Sequence, residues 1–364
     1  MNDQINTNNL SFDERTAEAI ALLQQLIAIP SFSREEDKTA ALLCRFLGSK
    51  SIEHIRVGNN VYSLNRHFSP EKKTILLNSH HDTVKPNPKY TNDPFDPQIV
   101  DGKLFGLGSN DAGGCLVSLI AVFCHYYERT DLKYNLVLAA SAEEEISGSG
   151  GIEQLLPYLP EFDCGIVGEP TKMDMAVAER GLMVLDCISH GKAGHAARNE
   201  GVNAIYKAMN DIEWFRNFVF PENSELLGPT AMNVTSITTE NKAHNVVPAT
   251  CNFVVDVRVN EKYSFEEVLA IIKGHVSCNV YPRSTRLRST SISPDHPLVK
   301  AGLELNRNYY GSPTTSDKAL MHFPTVKMGP GDSARSHTAD EFIYLSEIDD
   351  GIKIYISLLD KLLQ

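Results

Sequence analysis

The chain has 364 residues, 42% apolar and 22% charged, with 34 basic against 46 acidic side chains for a net charge of −12. That length exceeds one ordinary core, so two domains are expected; the acidic surplus argues against holding a nucleic acid or an anionic membrane, and no apolar run approaches the roughly 20 residues that span a bilayer. The opening stretch MNDQINTNNLSFDERT lacks the apolar core of a signal peptide, and seven scattered cysteines without a C-x-x-C pair fit reduced thiols in a cytoplasm rather than a disulfide framework or a cysteine zinc site.

Ser11-Phe-Asp-Glu14 has the spacing of a capping box. It opens an amphipathic helix with Ala19, Ile20, Leu22, Leu23, Leu26 and Ile27 on or near one face, stopped by Pro30. Ser33-Arg-Glu-Glu36 reads as the cap of a second helix, to about Leu47. TILLNS (74–79), NLVLAAS (135–141) and CGIVG (164–168) read as buried strands, with helical patterns at about 113–128 and 149–159 between them. This alternation predicts an α/β sheet with mostly parallel central strands. GLMVLDCISH (181–190) and ATCNFVVDVRV (249–259) partly alternate, as strands with one covered face do, and helical patterns at about 202–218 and 264–274 join them. They predict a small α+β unit. The α/β pattern resumes near Pro294, with helices at about 295–309 and 345–363. The expected organisation is one α/β domain, residues 1–178 and 290–364, interrupted by a smaller domain over 179–289.

Ionisable groups gather where apolar runs stop. NSHHDTV puts His80, His81 and Asp82 at a strand tip, and GLGSNDAGG puts Asp111 before a helix. LAASAEEEISGSGG puts Glu143, Glu144 and Glu145 at a strand end, GIVGEPT puts Glu169 there, and MGPGDSARSHTADEF puts His337 in a loop. Ligands of open α/β sheets bind outside the carboxyl ends of the strands, so these segments are expected to share one crevice. Imidazoles and carboxylates without thiolate suit Zn²⁺ above all, with Co²⁺ or Mn²⁺ as substitutes. His80, Asp111, Glu145, Glu169 and His337 are enough for two ions if one carboxylate is shared. Glu144 is then left as a general base, and Asp82 is placed to hydrogen-bond the second nitrogen of His80. Each signal has a bland counterpart: an H-x-D by chance, an acidic run at a helix start, a Glu-Pro turn, a surface histidine. Their conjunction in one chain favours the metal site.

These residues also resemble a known family. SHHDTV, GSNDAGG, AEEEISGSG, VGEPT and SHTADEF, with GKAGHAARNEGVNAI (191–205) and NVVPATCNFVVDVR (245–258), stand in the order of motifs in the acetylornithine deacetylase / succinyl-diaminopimelate desuccinylase / carboxypeptidase family of two-zinc hydrolases. The resemblance implies a zinc-hydrolase domain interrupted by a ferredoxin-like lid or dimerisation domain. It implies that His80 and Glu169 hold one zinc, Glu145 and His337 the other, with Asp111 bridging and a cis peptide after it. It makes Asp82 the support of His80 and Glu144 the base. From the insert, His195 and Asn245 resemble transition-state groups that reach a partner subunit's site in dimeric relatives, and Arg180 and Arg258 resemble substrate-binding arginines. Two positions depart from the family pattern. Gly113 stands where a lysine is usual, and Glu143 where an aspartate is usual, so Gly148 sets the register of the glutamates. His81 has the wrong spacing for the motif and is expected to line the pocket.

The activity this implies is hydrolysis of an N-acyl amino acid, acetylated or succinylated, such as an ornithine or citrulline derivative, by a cytoplasmic homodimer. A dipeptidase or carboxypeptidase using the same metals is the rival within the fold, and a non-catalytic metal-binding interaction protein is the rival from another class.

Overall fold

The structure is a computed structural model, and it describes residues 11–363. The polar stretch 1–10, read above against a signal peptide, lies outside the described residues. The chain divides into two compact units. One is built from Met1–Val177, Ile292–Tyr310 and Ser316–Gln364, the other from Ala178–Ser291 and Gly311–Thr315.

The first unit is organised by a mostly parallel central sheet. Thr74–His80 lies between Asn135–Ser141 and Cys164–Val167, parallel to both, and Thr325–Lys327 runs parallel beside Cys164–Val167. Asn60–Leu64 and Ile55–Val57 add antiparallel strands beyond Asn135–Ser141. Every residue of Thr74–His80 and of Asn135–Ser141 is buried, as expected for strands covered on both faces. Helix Gly114–Tyr126 packs on these two strands, and Phe12–Ile27 and Leu345–Leu363 pack on it in turn. The register pairs His80 with Ser141 and Asn78 with Val167. Three strand ends therefore lie level, and the segments after them meet.

The capping box at Ser11 forms as expected. The second cap does not. Helix Asp37–Ser49 starts from Glu36 with no side-chain cap, because the Ser33 hydroxyl donates to Asp82 Oδ2 at 2.7 Å instead. The pattern at 149–159 gives only helix Ile152–Leu155 and a tight turn Leu156–Tyr158, since Pro157 has no N–H to donate back to the preceding helical turn. The pattern at 295–309 gives Pro297–Glu304, closed where Asn306 turns left-handed at φ 59°.

The second unit is a four-stranded antiparallel sheet in the order Ala231–Thr238, Thr250–Val259, Gly181–His190, Asn279–Pro282. Helices Ala204–Asn217 and Phe265–His275 complete a β-α-β-β-α-β order of ferredoxin-like type. Gly181–His190 and Thr250–Val259 alternate buried with half-buried residues, and the buried set packs with Ala208, Phe215, Phe265, Val268 and Ile272 of the helices. Among the described residues no helix is long and apolar enough to cross a membrane.

Candidate active site

Each predicted site residue of the first unit stands at one of the level strand ends or in a loop beside them. His80 is the last residue of its strand. The chain leaving Ser141 turns left-handed at Glu143 (φ 52°), makes the tight turn Glu144–Ile146, and turns left-handed again at Ser147 (φ 48°). His337 is left-handed too, at φ 59°. Such backbone costs roughly 1 kcal/mol or more per residue and persists where the surroundings enforce it. Asp82 holds the turn between Glu143 and Ser147. Its buried carboxylate accepts the N–H of Glu144 at 3.0 Å, the N–H of Glu145 at 3.2 Å and the Ser33 hydroxyl at 2.7 Å. Its carbonyl oxygen lies 3.0 Å from His80 Nδ1, and its Oδ1 3.4 Å from the same nitrogen. The expected support of His80 thus comes mainly through the main chain, while the carboxylate holds the glutamate turn.

Glu143 faces away from this cluster. Its carboxylate accepts the Gly150 N–H at 3.2 Å, and its carbonyl oxygen accepts the Gly148 N–H at 2.8 Å. A side chain at Gly148 would collide with the Glu143 carboxylate, so glycine is required there. Glu144 and Glu145 are left to face the imidazoles. Asp111 sits in the irregular turn Ser109–Gly113, and its peptide bond to Ala112 is cis. Gly113 has no room for the lysine usual at that position, since even a Cβ would meet the Gly108 carbonyl oxygen and lie 2.6 Å from Leu23 Cδ1.

The polar atoms converge. His80 Nε2 lies 3.4 Å from Asp111 Oδ1, 3.7 Å from Glu169 Oε1 and 3.9 Å from Glu144 Oε2. His337 Nε2 lies 3.6 Å from Asp111 Oδ2 and 2.9 Å from Glu145 Oε2. Asp111 therefore turns one oxygen to each imidazole. Burial opposes charge on His80, but Asp111 and Asp82 outweigh it and hold its pKa well above the usual value. The hydrogen bond that His337 donates to the Glu145 carboxylate raises its pKa to about 9. Burial, then Glu169, pushes Glu144 well up. Four carboxylates crowded on two imidazoles call for more positive charge than two protons supply.

A divalent cation fits that demand. His80 Nε2 is buried and has no hydrogen-bond partner of normal geometry among the described residues, which suits a metal ligand. His80, Asp111 and Glu145 form one set with donor atoms within 4.8 Å of one another, and His80, Glu144 and Glu169 form another. Nitrogen and carboxylate donors match Zn²⁺, Co²⁺ or Mn²⁺. Glu144 stands about as near His80 as Glu169 does, so metal content, not distance, separates base from ligand. A third set, Asp163, Cys164 and His296, also comes together. It is ill suited to a metal, because Lys73 Nζ sits 2.7 Å from Asp163 and His296 Nδ1 accepts the Leu298 N–H, leaving the neutral ring's proton on Nε2.

Within the insert, Gly194–His195 pairs with Val246–Val247, and the Ala196 N–H donates to the Asn245 carbonyl at 3.0 Å, so His195 and Asn245 are neighbours. Arg258 is held by Asp256, Nε to Oδ1 at 2.8 Å. Arg180 donates through Nε and Nη2 to the Leu227 carbonyl. His81 does not line the pocket: Nδ1 meets the Thr39 hydroxyl and Nε2 the Asn59 carbonyl, both at 2.9 Å, and the ring is buried. Ser33 and Glu341 hold the frame of the site without having been assigned a role in it. Glu341 lay inside a quoted motif, SHTADEF, which was the one available signal.

A sequence profile described as Peptidase family M20/M25/M40 matches residues 76–361. Succinyl-diaminopimelate desuccinylase 2 of Ruegeria sp. (strain TM1040) is 24% identical over 95% of this chain and 95% of its own. Succinyl-diaminopimelate desuccinylase of Acidiphilium cryptum (strain JF-5) is 24% identical over 95% and 98%. Among solved structures, aminopeptidase PepT from Bacillus cereus ATCC 10987 has a TM-score of 0.76 at 18% identity, covering 97% of this chain and 99% of that one. YXEP from Bacillus subtilis, a dinuclear metal-binding peptidase from family M20, has a TM-score of 0.69 at 15% identity, covering 96% and 99%. At those identities the structures speak for the fold.

Proposed function

The chain belongs to peptidase family M20/M25/M40, and from that premise we propose that it is a two-zinc amide hydrolase removing an N-acyl group, succinyl or acetyl, from an amino acid. The observation that carries this reading is Asp111, with Oδ1 toward His80 and Oδ2 toward His337. His80 and Glu169 would hold one ion and His337 and Glu145 the other, with Asp111 available to both. When bound, such ions acidify a water toward neutrality and polarise an amide carbonyl. The chain's own residues do the rest. Glu144 takes a proton from the water and returns it to the leaving nitrogen, so that one amide and one water give a carboxylate and an amine.

His195 is suited to donate to the developing oxyanion. Its Nδ1 accepts the Ala197 N–H at 3.2 Å, so the neutral ring carries its proton on Nε2. Arg258 and Arg180 are the groups for the substrate carboxylate, and Asn245 lies beside His195. In this reading the protein is a homodimer in which His195 serves the site of the partner chain. The support is an edge strand, Ala231–Thr238, with Ile237 52% exposed, next to a helix that shows Tyr206 and Met209 to solvent. A second copy pairing on the same edge covers both.

The relatives named desuccinylases move the succinyl group ahead of the acetyl group. The test is amine release by the zinc- or cobalt-loaded chain from N-succinyl-diaminopimelate, N-succinylornithine, N-acetylornithine, N-acetylcitrulline and a set of dipeptides. Acyl amino acids are expected to exceed every dipeptide in kcat/KM. The opposite ranking makes the chain a dipeptidase, and a fully loaded chain that cleaves nothing is a binding protein.

A further inference from the structure

Glu341 lies in the loop that carries His337 and immediately before the strand Phe342–Tyr344. Its side chain is 2% exposed. Its carboxylate points into the turn that carries Asp111. Oε1 accepts the N–H of Asn110 at 2.8 Å and of Asp111 at 2.9 Å, and Oε2 accepts the N–H of Gly108 at 3.2 Å. The main chain adds a tie, Gly106 N–H to the Glu341 carbonyl at 3.0 Å. Asn110 makes another, with its side chain exchanging hydrogen bonds with Asp332 at 3.0 and 3.1 Å. The loop of one imidazole is thus fastened to the turn of the carboxylate that faces both.

An apolar side chain here would leave three buried N–H groups unpaired, and a neutral amide offers only one acceptor oxygen. Burying a carboxylate is costly, and burying it beside Asp111 adds like-charge repulsion. What the carboxylate contributes is two acceptor oxygens that together take three N–H groups of one stretch of main chain. Two of the three grip Asp111 and the residue before it. We propose that Glu341 is a positioning residue for the metal pair: by fixing the Gly108–Asp111 main chain it sets where the two Asp111 oxygens stand. The proposal rests on the two-metal reading of Asp111.

Co²⁺ alone is the probe, added to the full metal-free chain, with binding followed by visible absorption and dialysis. Glu341→Gln leaves one acceptor and turns an amide donor toward main-chain N–H groups. It is expected to fold when metal-free, to weaken binding of at least one Co²⁺ about 10–100-fold, to change the cobalt spectrum, and to lower kcat with KM nearly unchanged. Glu341→Asp keeps the charge one methylene short and is expected to fall between. Wild-type cobalt affinity and spectrum in Glu341→Gln overturn the proposal even if activity is lost, and so does failure of both metal-free variants to fold, which makes Glu341 a residue of the fold. Asp111→Ala separates the premise from the proposal. If that variant still holds two Co²⁺ with wild-type affinity, the shared-ligand reading fails whatever Glu341 does.

Discussion

Asp82 holds Glu144 by its main chain: Asp82 Oδ1 accepts the Glu144 N–H at 3.0 Å, while the other oxygen accepts the Glu145 N–H at 3.2 Å. One buried carboxylate thereby sets the position of the proposed base and of a proposed ligand, and its own carbonyl meets His80 Nδ1. Asp82→Asn keeps one acceptor oxygen and turns an amide donor toward an N–H or toward Ser33. We expect kcat/KM and metal retention to fall about 10–100-fold, the usual cost of losing support behind a ligand. Steady-state kinetics with metal analysis after dialysis check this, and wild-type values in both would remove Asp82 from the site.

The three adjacent glutamates are predicted to fail in three ways. Glu144→Gln keeps two ions and loses on the order of 10²–10⁴ in turnover, as for a missing general base. Glu145→Ala loses bound metal, because Glu145 lies 2.9 Å from His337. Glu143→Ala keeps both ions and loses about 1 kcal/mol of stability with its hydrogen bond to Gly150. Metal content, turnover and thermal melting of the three variants decide it. Metal loss in Glu144→Gln makes Glu144 a ligand.

These assignments show what could be read from sequence. Thr74–His80 and Asn135–Ser141 were legible because burial on both faces leaves an unbroken apolar run. The proposed ligand positions stood out because acids and histidines rarely follow such runs. Ala231–Thr238 was missed because an edge strand with polar residues on its open face carries no apolar pattern. Ser33 was misread because its partner, Asp82, is 49 residues away, and local spacing cannot register that. His81 was placed in the pocket by adjacency, but successive strand residues point to opposite faces, and Thr39 and Asn59 hold it on the other one.

Acid sensitivity away from the metal site is predicted to come from His125. Burial, then Arg15, lowers its pKa to about 4, Arg129 adds to the shift, and Asp360 opposes it. The unfolded chain takes up this proton near pH 6.5, and the folded protein refuses it until about pH 4. The stability His125 supports is therefore complete above pH 6.5 and declines as the pH falls toward 4. His125→Gln is expected to flatten that decline. Urea midpoints at pH 7.5 and 4.5 for both proteins measure it, and equal declines contradict the assignment.

The dimer is tested by mixing inactive chains. His195→Ala and Glu144→Gln are each expected to be nearly inactive. After subunit exchange, half the dimers are mixed and each holds one intact site, so about a quarter of wild-type activity should return. No recovery with exchange demonstrated would mean that His195 acts within its own chain or not at all.

The most direct measurement is a crystal structure of the zinc-loaded chain with the ions located by anomalous scattering. The account predicts two ions. Asp111 should bind both, His80 and Glu169 one, and His337 and Glu145 the other, at about 2.0–2.2 Å, with Glu144 bound to neither. A single ion, or two with Glu144 as a direct ligand and Asp111 on only one, would contradict it.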